Sequence, residues 1–226
     1  MKRSRINAIM ATADAMIRRH GFALPPFAYW SPPEFKSRQD AGQIVASSMG
    51  WDITDFGQGR FDQIGLFLFT LRNGSLADLR RGGGMCYAEK LLIAQADQVT
   101  PMHTHVIRGE DIINRGGATL VVELFGSDDQ GRFAADRGGV VRCDGISTPF
   151  KAGTKLRLPP GFSVTLMPGD CHAFWGEGGD VRIGEVSTVN DDVSDNLFRD
   201  PVGRFAQIDE DEPPTHLLVA DYANWL

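Results

Sequence analysis

His103 and His105 stand one residue apart in Pro101-Met102-His103-Thr104-His105, and Glu110 follows shortly after. Side chains on a strand alternate with period two, so both imidazoles face one side. Glu110, after a short bend, can return on a neighbouring strand and add an oxygen ligand. His172 ends the turn-forming stretch Pro168-Gly169-Asp170-Cys171-His172, which can deliver another strand into the same space. Three imidazole nitrogens and one carboxylate leave open positions on an octahedral divalent ion, as Lewis-acid catalysis requires. A His-x-His pair alone is equally well a hydrogen-bonded surface pair. The four residues together are far more specific. His20 and His216 fall outside the set and read as surface or packing residues. Cys171, next to His172, should face away from an ion and pack.

Such ligands need a rigid frame. Ile6, Ile9, Met10, Ala13, Met16 and Ile17 fall on one face of a helix, with Arg18 and Arg19 in its last turn and Gly21 as its stop. Leu24 to Trp30, with Pro25 and Pro26, reads as extended. Ser31 then caps a second helix with Pro at its first turn. From Trp51 onward the pattern becomes β-rich. Gly65 to Leu71 is an apolar run ending in Asn73-Gly74, a hairpin signal. Met85 to Ala94 reads as a strand, followed by a turn near Thr100-Pro101. Further strands are expected at Ala118–Phe125, Thr154–Leu158, Ser163–Met167 and Val181–Ser187, with Leu217–Ala220 a candidate to close the sheet. The Gly-rich stretch from Gly126 to Thr154 reads as an excursion that could hold a hairpin. Many short strands with Gly and Pro turns indicate a sandwich or barrel.

The bulk properties agree with an enzyme-like globular chain. The 226 residues carry a net charge of −6 and are 42% hydrophobic. An acidic chain without a Lys/Arg cluster lacks the basic face that phosphates require, which argues against nucleic acid and anionic membranes as partners. Cys86, Cys143 and Cys171 make an odd set with no C-x-x-C pair, so no disulfide framework is expected. Asp14 interrupts the N-terminal segment before any signal-like apolar stretch, and no run is long enough to span a membrane. The expected location is the cytoplasm.

The spacing His-x-His-x4-Glu-x6-Gly, ending at Gly117, resembles the first motif of the cupins, and Gly161…Gly169-x2-His172 resembles the second. Asp97, Met167 and Gly176 depart from those motifs. A closer resemblance is to the bacterial D-lyxose isomerases, a cupin family. It is carried by Pro101-Met102-His103-x-His105, Glu110-Asp111-Ile112-Ile113-Asn114-Arg115-Gly116-Gly117, Leu158-Pro159-Pro160-Gly161, His172-Ala173-Phe174-Trp175 and Gly184-Glu185-Val186-Ser187-x-Val189-Asn190-Asp191-Asp192. Val106-Ile107-Arg108-Gly109 is atypical. The resemblance implies a mainly β, cupin-type double-stranded β-helix or jelly-roll barrel with N-terminal helices. It would form one domain over residues 1–226, with a helical arm at 1–50 and the barrel at 60–226. The implied activity is metal-dependent exchange of D-lyxose with D-xylulose, and of D-mannose with D-fructose, by a homodimer. Manganese fits the mixed nitrogen and oxygen ligands; zinc, cobalt, iron or nickel could also bind.

Aldose–ketose exchange needs a base for the carbon-bound proton. Glu185 is the candidate, since it interrupts the β-run Val181–Val186, where a charge facing the core would be costly without a purpose. Alternation alone equally permits it to face solvent. Lys90, if inward, could steady a developing oxyanion, with Glu89 then pointing outward. Asp191 reads as a contact to sugar hydroxyls or as ordinary turn chemistry. Trp175 and Phe174 could wall a pocket or pack a core. An iron-dependent cupin dioxygenase would use the same ligands, but it needs an apolar pocket, against which Lys90, Glu185 and Asp191 argue. A non-catalytic sugar-binding cupin would hold metal without turnover.

Overall fold

Helix α1 (Arg3–Arg19) forms where Ile6, Ile9, Met10, Ala13 and Ile17 bury one helical face. Gly21, at φ +71°, lets the chain leave it. The structure, a computed structural model, describes residues Met1 to Leu226. Leu24 to Trp30 is not wholly extended as expected: Pro26–Tyr29 forms a 3-10 turn. Proline's fixed φ suits the first position of such a turn. Helix α2 (Pro32–Ser37) starts as expected, with the Ser31 hydroxyl accepting from the Glu34 amide at 3.4 Å. Helix α3 (Gly42–Ala46) follows.

The sheet begins at Gly50, earlier than the expected boundary at residue 60. Its strands are β1 (Gly50–Thr54), β2 (Leu66–Asn73), β3 (Tyr87–Ala94), β4 (Thr100–His105), β5 (Glu110–Phe125), β6 (Gly139–Cys143), β7 (Ile146–Phe150), β8 (Thr154–Leu158), β9 (Ser163–Leu166), β10 (Cys171–Thr188) and β11 (Asn196–Phe198). Their order is β1-β2-β3-β10-β5-β9-β6-β7, with β8 on β5, and β4 between β10 and β11. Strands β5 and β10 pair along most of their length, with register shifts around Glu177–Val181 and Arg182–Ile183. Such irregularities bend a strand. The C-terminal half of β10 therefore pairs β3 while its N-terminal half pairs β4. The two long strands thus serve both walls of a barrel, and the β6/β7 hairpin lies in the Gly-rich excursion.

Three expectations fail locally. Asn73-Gly74 does not make a tight hairpin, because helix α4 (Leu76–Arg81) intervenes before β3. Gly74 is needed for close approach instead: a Cβ there would lie 1.8 Å from the Met85 carbonyl. Thr100-Pro101 is in β4, not a turn, and β11 pairs only residues 103–105, so Pro101 sits where no β11 partner asks for its missing N–H. Leu217–Ala220 adds no strand. Leu218 makes a single bridge to Trp51, and Val219–Asp221 is a 3-10 turn before α5 (Tyr222–Trp225).

The apolar run of β2 is continuous because both of its faces are buried. Leu66, Leu68, Leu92, Ile112, Val122 and Ile183 fill the barrel. Phe67, Phe69, Leu91 and Ile93 pack outward against Ile6, Ile9 and Ile17 of α1. Each large side chain so buried contributes roughly 1.5–3 kcal/mol. The C-terminal tail returns to this arm: the fully buried Arg3 bridges Asp221 at 2.7 Å and Glu210 at 2.6 Å. No helix is long and apolar enough to cross a membrane.

Candidate functional site

His103, His105, Glu110 and His172 converge on one point, with four potential ligand atoms all within 4.8 Å of one another and every residue buried. Topology brings them together, since His103 and His172 are register partners across β4 and β10 and Glu110 opens β5. Backbone carbonyls orient the rings. His103 Nδ1 meets Pro101 O at 2.8 Å, His172 Nδ1 meets Asp170 O at 3.1 Å, and His105 Nδ1 meets Asp195 O at 3.4 Å. A ring whose Nδ1–H is so held presents its Nε2 lone pair as a ligand.

Glu110 Oε1 lies 3.2 Å from His105 Nε2 and 3.1 Å from His172 Nε2. Adjacent ligands about 2.1 Å from one ion would stand ~3.0 Å apart. Glu110 Oε1 and His172 Nε2 are also buried without a hydrogen-bond partner. Two orphaned lone pairs facing each other are what a cation would satisfy. Burial, together with neighbouring His172 and His105, holds the His103 imidazole well below its usual value, which favours the neutral, ligating form. Burial alone would raise the Glu110 carboxyl, but His105 and Arg108 outweigh it and keep the group well below the usual range. The donor set fits a divalent metal.

A cavity opens beside His103 and Glu110. Glu185 and Lys90 face each other across β10 and β3, and both side chains point into this cavity, with Lys90 Nζ 3.1 Å from Glu185 Oε1. Lys90 also donates to Asn190 Oδ1 at 2.6 Å. Glu89 points the other way and pairs with Arg72 at 2.8 Å. Arg108 enters from the loop between β4 and β5, since Asp195 accepts hydrogen bonds from the amides of Val106, Ile107 and Arg108 at 2.7–3.1 Å and pins that loop. Its guanidinium reaches His105 Nε2 at 2.7 Å, Glu110 Oε2 at 3.3 Å and Glu185 Oε1 at 3.6 Å.

This chemistry and this barrel have close counterparts. A family model described as D-lyxose isomerase matches residues 1–222. The chain belongs to that family. D-lyxose/D-mannose isomerase of Serratia proteamaculans is 45% identical over 230 residues, covering 100% of each chain. The protein of the same name from Escherichia coli O157:H7 is 45% identical over 98% of each. Among solved structures, L-ribose isomerase of Cellulomonas parahominis with L-ribose superposes with a TM-score of 0.62 at 16% identity, over 92% of this chain and 98% of that one. L-ribose isomerase of Geodermatophilus obscurus gives 0.61 at 16%, over 92% and 98%. These two likenesses establish the fold.

Within this D-lyxose isomerase family member, the two residues expected to meet the sugar from outside the metal quartet and the Lys90–Glu185 pair, Trp175 and Asp191, lie outside the cavity lining. Trp175 follows Phe174 on β10, so alternation puts Phe174 inside and Trp175 on the outer face, beside Met102 and under Lys155 at 5.3 Å. The Asp191 carboxylate is taken up by its own turn, accepting from Ser194 Oγ at 2.5 Å and from the Val193 amide at 3.0 Å. The cavity is reached by its neighbour Asp192. Cys171 packs with Met102 and Ala173, away from the ligands, as expected. His216 stacks on Trp51 at 6.2 Å, and His20 is exposed. Sequence reasoning did not single out Arg108, Asp192, Asn196 and Arg204, which line the cavity, or Asp52, which accepts from Arg204 at 2.7 Å behind it. Asp52 carried a signal, as a charge within the strand Trp51-Asp52-Ile53-Thr54.

Proposed function

We propose that this chain interconverts D-lyxose with D-xylulose and D-mannose with D-fructose. What carries the reading is a single cavity lined by His103 and Glu110 of the quartet and by a buried Lys90–Glu185 pair, in a chain matched end to end by D-lyxose/D-mannose isomerases. The quartet would hold a divalent cation, with manganese the best fit to three nitrogens and one oxygen; zinc, cobalt, iron or nickel suit the same donors. Such a cation, when bound, withdraws electrons from the sugar's carbonyl and hydroxyl oxygens and acidifies the carbon-bound proton. Glu185 takes that proton from carbon 2 and returns it to carbon 1 on one face of the sugar, through a cis-enediolate. Meanwhile the hydroxyl proton passes from the second oxygen to the first. Lys90, at 3.1 Å, keeps Glu185 aimed, and steadies the oxyanion as it develops. Glu110 and Lys90 also contact the substrate.

The cavity wall mixes apolar side chains such as Leu68 and Phe198 with five charged ones, Lys90, Arg108, Glu185, Asp192 and Arg204. Those charges suit the hydroxyls of a sugar better than the aromatic or thiol substrate of an iron-dependent dioxygenase. We place the protein in the cytoplasm as a homodimer of single-domain chains; the free Cys86, Cys143 and Cys171 suit a reducing compartment. The test is a panel of aldoses with manganese-loaded protein. D-lyxose and D-mannose are expected to yield their ketoses; conversion of neither would overturn the assignment.

A further inference from the structure

The cavity has a second charged cluster at its β1 edge. Asp52 lies on β1, Asp192 in the turn after β10, and Arg204 on the segment after β11. Arg204 Nη2 donates to Asp52 Oδ2 at 2.7 Å and lies 3.2 Å from Asp192 Oδ2, while Nε donates to Asp192 Oδ1 at 3.3 Å. Backbone contacts fix the segment: the Gly203 amide donates to Phe56 O at 3.1 Å and Thr54 Oγ1 donates to Arg204 O at 2.8 Å. The chain therefore crosses from β11, beside the histidines of β4, to β1, which is separated from β10 by β2 and β3. Three strand spacings are ~14 Å.

One atom of this cluster is idle. Arg204 Nη1 is buried and has no hydrogen-bond partner, and the residue lines the cavity together with Asp192 and Asn196. Burial opposes the guanidinium charge, but Asp192 and Asp52 reverse that and keep the group charged. A buried, permanently charged donor with nothing to bond is costly unless a ligand completes it. An open-chain sugar whose first two carbons sit at the quartet still carries hydroxyls on its remaining carbons.

We propose that Arg204, clamped by Asp52 and Asp192, binds a hydroxyl on carbon 4 or 5 of the sugar and thereby sets substrate preference. This rests on the isomerase reading above. A guanidinium held from two sides presents its free N–H in a fixed direction. Asp192, adjacent, can accept the proton of the same or the neighbouring hydroxyl.

The test is a cycle of two proteins and three sugars. Values of kcat/KM are measured for wild type and Arg204→Met with D-lyxose and its 4-deoxy and 5-deoxy analogues, after bound metal is shown to be equal in both. Wild type should prefer D-lyxose over one analogue by roughly 10–100-fold, the effect of a lost hydrogen bond to a charged group. Arg204→Met should lose a similar factor on D-lyxose, with KM moving more than kcat. Its preference over the same analogue should shrink to about twofold. If the variant discriminates against both analogues as wild type does, Arg204 is only an anchor for its segment and the proposal fails. Arg204→Lys retains a cation between the two carboxylates and repeats the cycle should the methionine variant not fold. No turnover of any sugar by wild type would instead overturn the isomerase reading itself.

Discussion

Lys90 and Glu185 are direct register partners on neighbouring antiparallel strands, and their charged ends meet at 3.1 Å inside the barrel. Both are almost fully buried. Burying two opposite charges offers little net stability, because desolvation offsets most of the attraction. Function is the better reason for the pair to persist. Glu185→Gln keeps the shape of the side chain and loses its basicity. It should retain full metal content while turnover of D-lyxose falls by roughly 10²–10⁴-fold. Wild-type rates in that variant would clear Glu185 of the proton-transfer role.

Asp191 and Asp192 are neighbours with different surroundings. The first bonds to its own turn, and the second accepts from Arg204 in the cavity wall. Asp191→Asn is expected to leave kcat/KM for D-lyxose within about twofold, whereas Asp192→Asn lowers it at least tenfold, on the scale of a lost charged contact. Equal losses from both would show that the whole turn, not the Asp192 carboxylate, matters.

The same carboxylate makes an acid-stability prediction. Burial would raise the Asp192 carboxyl, but Arg204, Lys90 and Arg108 overcome that and hold it far below the usual range. A depressed folded value means that the unfolded chain takes up the proton first. The stabilisation is then complete above ~pH 4, near the unfolded value, and is lost as the pH falls further. Thermal melts should show the deficit of Asp192→Asn largest near neutrality and shrinking below pH 4. A deficit that grows on acidification would reverse the sign argued here.

Much of this site could be read from residue types and spacing. The quartet was legible because its members are chemically distinctive and strand alternation forces His103 and His105 to one side. Lys90 and Glu185 were legible as charges inside apolar strands, although periodicity alone could not choose a face; the register of β3 against β10 chose it. Asp192 lines the cavity and Asp191 does not, a difference no sequence pattern could give, because a polar Asn-Asp-Asp turn has no period to tell its members apart. Arg204 gave no signal at all. Its place depends on a long-range crossing from β11 to β1, beyond any local pattern. Trp175 reads from sequence as a pocket wall or a packing residue, and alternation after His172 sends it to the outer face. The Asn73-Gly74 pair showed how a strong local turn signal yields when an inserted helix makes the connection.

Cys171 is nearly fully buried, and burial pushes its thiol up to about 11. Thiolate reactivity needs both access and ionisation. Iodoacetamide at pH 8 should label the partly exposed Cys86 and Cys143 in the native protein and spare Cys171 until it is unfolded. Rapid native labelling of Cys171 would mean that the β10 wall beside His172 opens readily.

The most direct measurement is metal content alongside D-lyxose turnover, in wild type and His103→Ala, before and after chelation and manganese reloading. Wild type should bind about one divalent ion per chain, lose activity with it and regain activity on reloading. His103→Ala should bind little, stay inactive and melt at a lower temperature, because ligation and folding are coupled. Undiminished turnover after the ion is gone, or full metal content in His103→Ala, would contradict the account.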